Sequence, residues 1–189
     1  MKKVHIIELG SQYTHVIWRA VRDLGLEGKI IGKETSLNEM KNCDFLMLSG
    51  GPGSADKDNF YEIPELLKQV HSGKLFLPIL GICLGHQLIA HTLDGKIGRG
   101  KNAEYGICEI EVEKEGILLQ SLPKKFNAWV SHFDEVKNLP KGFDKTAHSS
   151  VCEIESMENQ KCRIFGVQFH PEVWHTEGGE KILENFLGQ

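Results

Sequence analysis

Pro78-Ile79-Leu80-Gly81-Ile82-Cys83-Leu84-Gly85-His86-Gln87 reads as a short buried strand, a sharp Gly-bounded turn and the first turn of a helix. The apolar run has strand length, and Leu84 to Leu93 continues with helical character until Gly95 stops it. Upstream, Phe45-Leu46-Met47-Leu48 runs straight into Ser49-Gly50-Gly51-Pro52-Gly53, and Ile63, Leu66, Leu67 and Val70 then form an amphipathic stripe. Earlier still, Val4-His5-Ile6-Ile7 ends at Gly10, and Tyr13, Val16, Ile17, Ala20, Val21 and Leu24 recur at helical spacing before Gly25. Lys29-Ile30-Ile31 precedes Ser36-x-x-Glu39, the pattern of a capping box. Repeated strand–helix units of this length predict an α/β fold with a mostly parallel central sheet, helices on both faces, and ligands beyond the carboxyl ends of the strands.

The second half changes character. Ile107 to Val112, Ala128-Trp129-Val130 and Ile164 to Phe169 are short strands with little helix between them, until Glu177 to Leu187 closes the chain as a helix. They predict a small antiparallel β portion. No internal repeat or Pro/Ser-rich linker divides the 189 residues, so residues 1–189 are expected to form one domain.

Composition narrows the function. Apolar residues make up 40% and charged residues 25%, which is globular and argues against disorder. With 22 basic and 26 acidic residues the net charge is −4, so no basic excess is available to neutralise a phosphate backbone, and nucleic acid is not an expected partner. The five cysteines are odd in number and form no C-x-x-C pair, which favours neither a disulfide framework nor zinc and fits a reducing cytoplasm. The amino terminus meets Glu8 before a signal-peptide core can form, and the most apolar stretch, from Leu75 to Gly85, is broken by Pro78 and too short to span a bilayer. A soluble, untargeted chain without a membrane partner is expected.

Three segments can carry chemistry. Gly81-Ile82-Cys83-Leu84-Gly85 has the G-x-nucleophile-x-G form of a nucleophile elbow, in which flanking glycines permit a tight turn and a helix amino terminus favours the thiolate. The alternative is a buried Cys in a Gly-rich turn. Phe169-His170-Pro171-Glu172 places an imidazole and a carboxylate just past an apolar strand, where His170 can serve as base and Glu172 as the group that orients it; a loop His beside an unrelated Glu is the plainer reading. Ser49-Gly50-Gly51-Pro52-Gly53 can aim backbone N–H groups into the same crevice, so that Gly51 and Leu84 form an oxyanion hole. An ordinary turn or a phosphate-binding nest stands beside that reading. A Walker loop is excluded, since no Gly-Lys-Ser/Thr follows.

Ser49-Gly50-Gly51-Pro52, Gly81-Ile82-Cys83-Leu84-Gly85-His86-Gln87 and Gly166-Val167-Gln168-Phe169-His170-Pro171-Glu172, in this order, resemble class I glutamine amidotransferase domains, whose fold is flavodoxin-like. Within that class, Ala103-Glu104-Tyr105-Gly106, Ser131-His132-Phe133-Asp134-Glu135-Val136 and Pro171-Glu172-Val173-Trp174-His175-Thr176 resemble the separate amidotransferase subunit of two-chain GMP synthases. The resemblance implies that Cys83 attacks the side-chain amide of glutamine, that His170 protonates the departing ammonia, and that water releases glutamate from a thioester. It implies an oxyanion hole at Gly51 and Leu84, and a pocket for the amino-acid head group lined by Gln87, Ser131 and Phe133, although many fused members carry Gly where this chain has Phe133. It also implies a partner: an ATP-pyrophosphatase subunit that aminates xanthosine monophosphate and holds the ATP and Mg, leaving no cofactor on this chain.

Competing readings are the glutaminase subunit of anthranilate or aminodeoxychorismate synthase, which the Ser131 to Val136 segment disfavours, and a free-standing thiol hydrolase such as a γ-glutamyl hydrolase. An α/β-hydrolase would place its acid before the His, whereas Glu172 follows His170. A non-catalytic module would have lost one of the three groups, and all are present. His86 reads as a packing or capping residue, and His132 as a residue that fixes its loop or meets the partner. His170 and His175 lack the spacing and third ligand of a metal site, so no metal is expected. Cys43, Cys108, Cys152 and Cys162 read as inert thiols.

Overall fold

The computed structural model describes residues 1–188, apart from the side chains of residues 101 and 102. Its first half alternates as expected: β1 (Lys3–Glu8), α1 (Thr14–Asp23), β2 (Glu27–Gly32), α2 (Leu37–Met40), β3 (Phe45–Leu48), α3 (Ile63–His71), β4 (Ile79–Ile82) and α4 (Leu84–Thr92). The second half holds β5 (Lys96–Val112), β6 (Lys125–Asn138), β7 (Asp144–His148), β8 (Ser156–Asn159), β9 (Ile164–Val167) and α5 (Gly179–Leu187). Among the described residues the nine strands join one sheet in the order β2-β1-β3-β4-β9-β8-β7-β5-β6. Pairing is parallel from β2 through β9 and antiparallel from β9 to β6. The antiparallel portion therefore extends the central sheet.

The period of two along each strand sorts side chains onto two faces. Val4, Ile6, Phe45, Met47, Leu80, Ile82, Phe165 and Val167 pack with Ile17 and Val21 of α1 and with Ile182, Leu183 and Phe186 of α5. Ile7, Leu46, Leu48, Ile79 and Ile164 pack on the other side with Ile63, Leu66 and Leu67 of α3 and Leu88 and Ile89 of α4. Because both faces are covered, β3, β4 and β9 are buried at every residue and read as continuous apolar runs rather than alternating ones.

Two details depart from the sequence reading. Ser36 precedes α2 but makes no capping side-chain bond, and Glu39 pairs with Lys29 at 2.8 Å instead of reaching back. The long β5–β6 hairpin begins at Lys96, well before Ile107. Its register breaks between Arg99 and Glu104, opposite Asp134 and His132. There β6 also changes face: Phe126, Ala128 and Val130 pack with one core and Val136 with the other. The ladder is thus interrupted between His132 and Asp134.

Candidate active site

Order β2-β1-β3 places the first crossover on one side of β1 and the next on the other, so the carboxyl ends of β1, β3, β4 and β9 open a crevice. Cys83 lies directly after β4. Its backbone sits at φ 51°, ψ −105°, a conformation that L-residues avoid and that active sites retain where surrounding structure enforces it. A Cβ on Gly81 would lie 2.5 Å from the backbone of Gly85, and one on Gly85 would lie 2.6 Å from the Leu48 carbonyl. Both elbow glycines are therefore required by close packing. The Cys83 N–H donates to Val167 O at 2.8 Å, and its carbonyl accepts from Gln87 N at 3.1 Å to start α4.

His170 follows β9, the neighbour of β4. Its backbone N–H donates to Trp129 O at 2.9 Å, Thr176 Oγ1 donates to its carbonyl at 2.6 Å, and the Tyr13 ring meets the imidazole edge-on at 5.2 Å. Nδ1 lies 2.8 Å from Glu172 Oε1, with the carboxylate fully buried, and the imidazole also hydrogen-bonds Cys83. Burial opposes a charge on His170, but the Glu172 carboxylate and the bond to Cys83 outweigh it and hold the imidazole well above its ordinary value. The fold of β4 and β9 brings the three residues together.

The Gly-rich turn after β3 closes the site. Ser49 Oγ accepts from Leu9 N and donates to Gly50 O, both at 2.9 Å, which ties the turn to the end of β1. A Cβ on Gly50 would lie 3.0 Å from His170 Cε1, and one on Gly51 would lie 2.1 Å from Leu9 O. A cavity of about 290 Å³ is lined by Gly10, Ser11, Gln12, Tyr13, Gly51, Pro52, Cys83, Ser131 and His170. A second of about 220 Å³ adds Gly53, Leu84, Gln87 and residues 132–134 and shares Gly51, Pro52, Cys83 and Ser131. The sulfur therefore stands between two small lobes, with both candidate oxyanion donors on its walls. Larger clefts, such as one of about 550 Å³ beside Arg19 and Trp174, do not reach Cys83.

The expected head-group residues fall differently. The Ser131 carbonyl faces the sulfur at 3.8 Å. The Phe133 ring is partly exposed under the Arg99 guanidinium at 4.0 Å. Gln87 is buried, and its amide nitrogen donates to Asp134 O at 2.6 Å and Gln168 Oε1 at 3.1 Å, which leaves only its own oxygen free for a ligand. Gln168, inside the third motif, is a site residue that the sequence pattern leaves without a role. Its signal was a polar side chain inside an otherwise apolar strand end. Ser11, Tyr13 and Arg99 carried no comparable signal.

Apart from His132, which lines the second lobe, the remaining histidines and cysteines of the described residues stay off the walls of these two cavities. His86 is fully buried with Nδ1 pressed against Gly166, and burial lowers it to about 3, so it is a neutral packing residue. His175 stacks on Trp129 and Trp174. Burial pushes the Cys43 thiol up to about 11, Cys108 up to about 12, and Cys152 higher still, so these are not thiolates.

The nearest approach to a cation shell among the described residues is Glu104, His132, Cys152 and Glu155, whose candidate atoms lie within 4.8 Å of one another. A tetrahedral zinc shell has ligand atoms roughly 3.3–3.8 Å apart. Here His132 Nε2 is 3.0 Å from Glu104 Oε2. Burial, then the charges of Glu104 and Glu135, raise Glu155 to about 8, so its carboxyl keeps a proton at neutral pH. His132 thereby anchors the 131–134 segment from inside the fold.

The family model for glutamine amidotransferase class-I matches residues 5–189. A glutamine-hydrolyzing GMP synthase subunit of Pyrococcus abyssi is 48% identical over 183 residues, covering 96% of this chain and 95% of that one. The corresponding subunit of Methanocaldococcus jannaschii is 45% identical over 184 residues, covering 96% and 94%. Among solved structures, a GMP synthase subunit protein from Thermoplasma acidophilum is similar with a TM-score of 0.87 and 34% identity, over 100% of this chain and 93% of that chain. A glutamine amidotransferase from Thermotoga maritima has a TM-score of 0.75 at 22% identity, over 91% and 76%, a likeness of fold. With an elbow cysteine, an ordered imidazole–carboxylate pair and these relatives, the chain belongs to the class I glutamine amidotransferase family.

Proposed function

We propose that the chain is the glutaminase subunit of a GMP synthase, one amidotransferase domain over residues 1–189. The observation that carries this reading is Cys83 at the strained elbow with His170 and Glu172 aligned beside it, in a chain 45–48% identical to glutamine-hydrolyzing GMP synthase subunits over nearly its full length. The Cys83 thiolate attacks the side-chain carbonyl of glutamine. Negative charge grows on the carbonyl oxygen, and the Gly51 and Leu84 N–H groups receive it. As the tetrahedral species collapses, the C–N bond breaks and His170 gives its proton to the leaving ammonia. Water then adds to the thioester, His170 takes its proton, the C–S bond breaks, and glutamate leaves. Glu172 holds the imidazole through Nδ1. The head group is held by Ser131 and Phe133 through backbone atoms and by the free oxygen of Gln87.

These steps use side chains and backbone of this chain and no cofactor. The ammonia passes to a separate ATP-pyrophosphatase subunit, which binds ATP and Mg and aminates XMP. No helix among the described residues is long and apolar enough to cross a membrane, and thiol chemistry of this kind fits the cytoplasm.

The test is glutamate release from glutamine by the chain alone and with that partner, ATP, Mg and XMP. Strong stimulation by the nucleotide-loaded partner is expected. Vigorous hydrolysis that ignores the partner would indicate a free-standing thiol hydrolase and overturn the reading. In the assembled enzyme, Cys83→Ala is expected to abolish glutamine-dependent amination and spare ammonia-dependent amination; joint loss would refute the division of labour.

A further inference from the structure

We propose that Gln168 is a further catalytic residue: its side-chain amide donates to the Cys83 sulfur and stabilises the thiolate, and Gln87 fixes it in that orientation. A chain of forced choices leads to this assignment. The Asp134 carbonyl can only accept, so the Gln87 atom 2.6 Å from it is the amide nitrogen. That nitrogen's second N–H reaches the Gln168 atom at 3.1 Å, which must then be the oxygen. The Gln168 amide nitrogen is left facing Cys83 Sγ at 3.7 Å, a hydrogen-bond length suited to sulfur. Gln168 is fully buried, so no water competes for its N–H, and its backbone N–H is pinned to Glu155 O at 2.8 Å.

A neutral donor does something that His170 cannot. His170 loses its proton to ammonia and regains it from water. Gln168 exchanges neither atom nor proton, so its dipole opposes the sulfur's charge both before attack, when the C–S bond has yet to form, and in thioester hydrolysis, when the thiolate departs. The relay also starts at Asp134, in the segment where the β5–β6 register breaks, so the position of that segment sets the donor on the nucleophile.

The proposal deepens the glutaminase reading and rests on it, yet its first readout uses no glutamine. Iodoacetamide alkylation of Cys83 is followed across pH by mass spectrometry of its peptide, in the wild type and in Gln168→Leu, Gln168→Glu and Gln87→Leu, with thermal melts to confirm folding. Gln168→Leu is expected to move the profile to higher pH and lower the rate at pH 7 about tenfold. Isosteric Gln168→Glu is expected to move it further, because a carboxylate repels the thiolate. Gln87→Leu, which frees Gln168 to rotate, is expected to give a smaller displacement in the same direction. In the complex, Gln168→Leu should lower glutamine-dependent kcat/KM about 10- to 100-fold and leave ammonia-dependent amination unchanged. Profiles that superimpose on the wild type, or equal displacement by Leu and Glu, would overturn the proposal; if Gln168→Leu does not fold, the Glu and Gln87 variants decide. A wrong glutaminase reading would show separately, as no turnover of glutamine by a wild type whose alkylation still responds to Gln168.

Discussion

His170 and Glu172 are two residues apart in a turn whose carbonyl is clamped by Thr176, so the imidazole cannot rotate away from its carboxylate. Against burial, the Glu172 charge and then the bond to Cys83 raise His170. A group raised in the folded state contributes stability that is complete below its unfolded value near 6.5 and is lost as pH rises through the folded value. Glu172→Gln removes the charge and keeps the shape. It is expected to lower kcat/KM about 100-fold, less than His170→Ala does, and to move the alkaline limb of the pH profile to lower pH as the imidazolium loses its counter-ion. Steady-state kinetics of both variants across pH would check this, and equal losses would mean that Glu172 transfers protons itself.

At the scale of an element, the elbow joining β4 to α4 was legible because its requirements are local. Two glycines at fixed spacing around a nucleophile announce a turn that other residues cannot make, and the packing at Gly81 and Gly85 bears this out. The parallel strands were legible as apolar runs for a similar reason. β7 and β8 were not, since Asp144–His148 and Ser156–Asn159 carry charged and polar residues whose burial depends on partners such as Thr146 with Ser156. The engagement of Gln87 escaped notice because it depends on Asp134 and Gln168, both remote in sequence. Strain at the elbow also predicts a stability difference. Cys83→Gly is expected to exceed Cys83→Ala by about 1 kcal/mol, since glycine accepts φ 51° without the strain of about 1–3 kcal/mol that other residues incur. Parallel melts of the two inactive proteins would measure it, and a less stable Gly variant would show that the elbow is relaxed.

Across the whole molecule, the burial of Glu155 makes stability depend on pH. Its value rises from 4.5 to about 8 on folding, so between those limits the unfolded chain is ionised while the fold must take up a proton. Stability therefore falls as pH rises from 4.5 to 8, and the penalty is constant above. Glu155→Gln is expected to match the wild type near pH 4.5 and to exceed it by about 1–3 kcal/mol at pH 8, read by urea denaturation at both pH values. A constant offset would place the proton elsewhere in the cluster.

Because β9 pairs with both β4 and β8, the last strand of the chain is inserted between neighbours that were synthesised before it. Eighty-five residues separate Cys83 from the amide that faces its sulfur. Until β9 is seated, Cys83 has neither the imidazole nor the amide beside it, and seating β9 is a non-local step that is slow for any sheet of this kind. Reactivity toward glutamine therefore waits on the seating of β9 between β4 and β8.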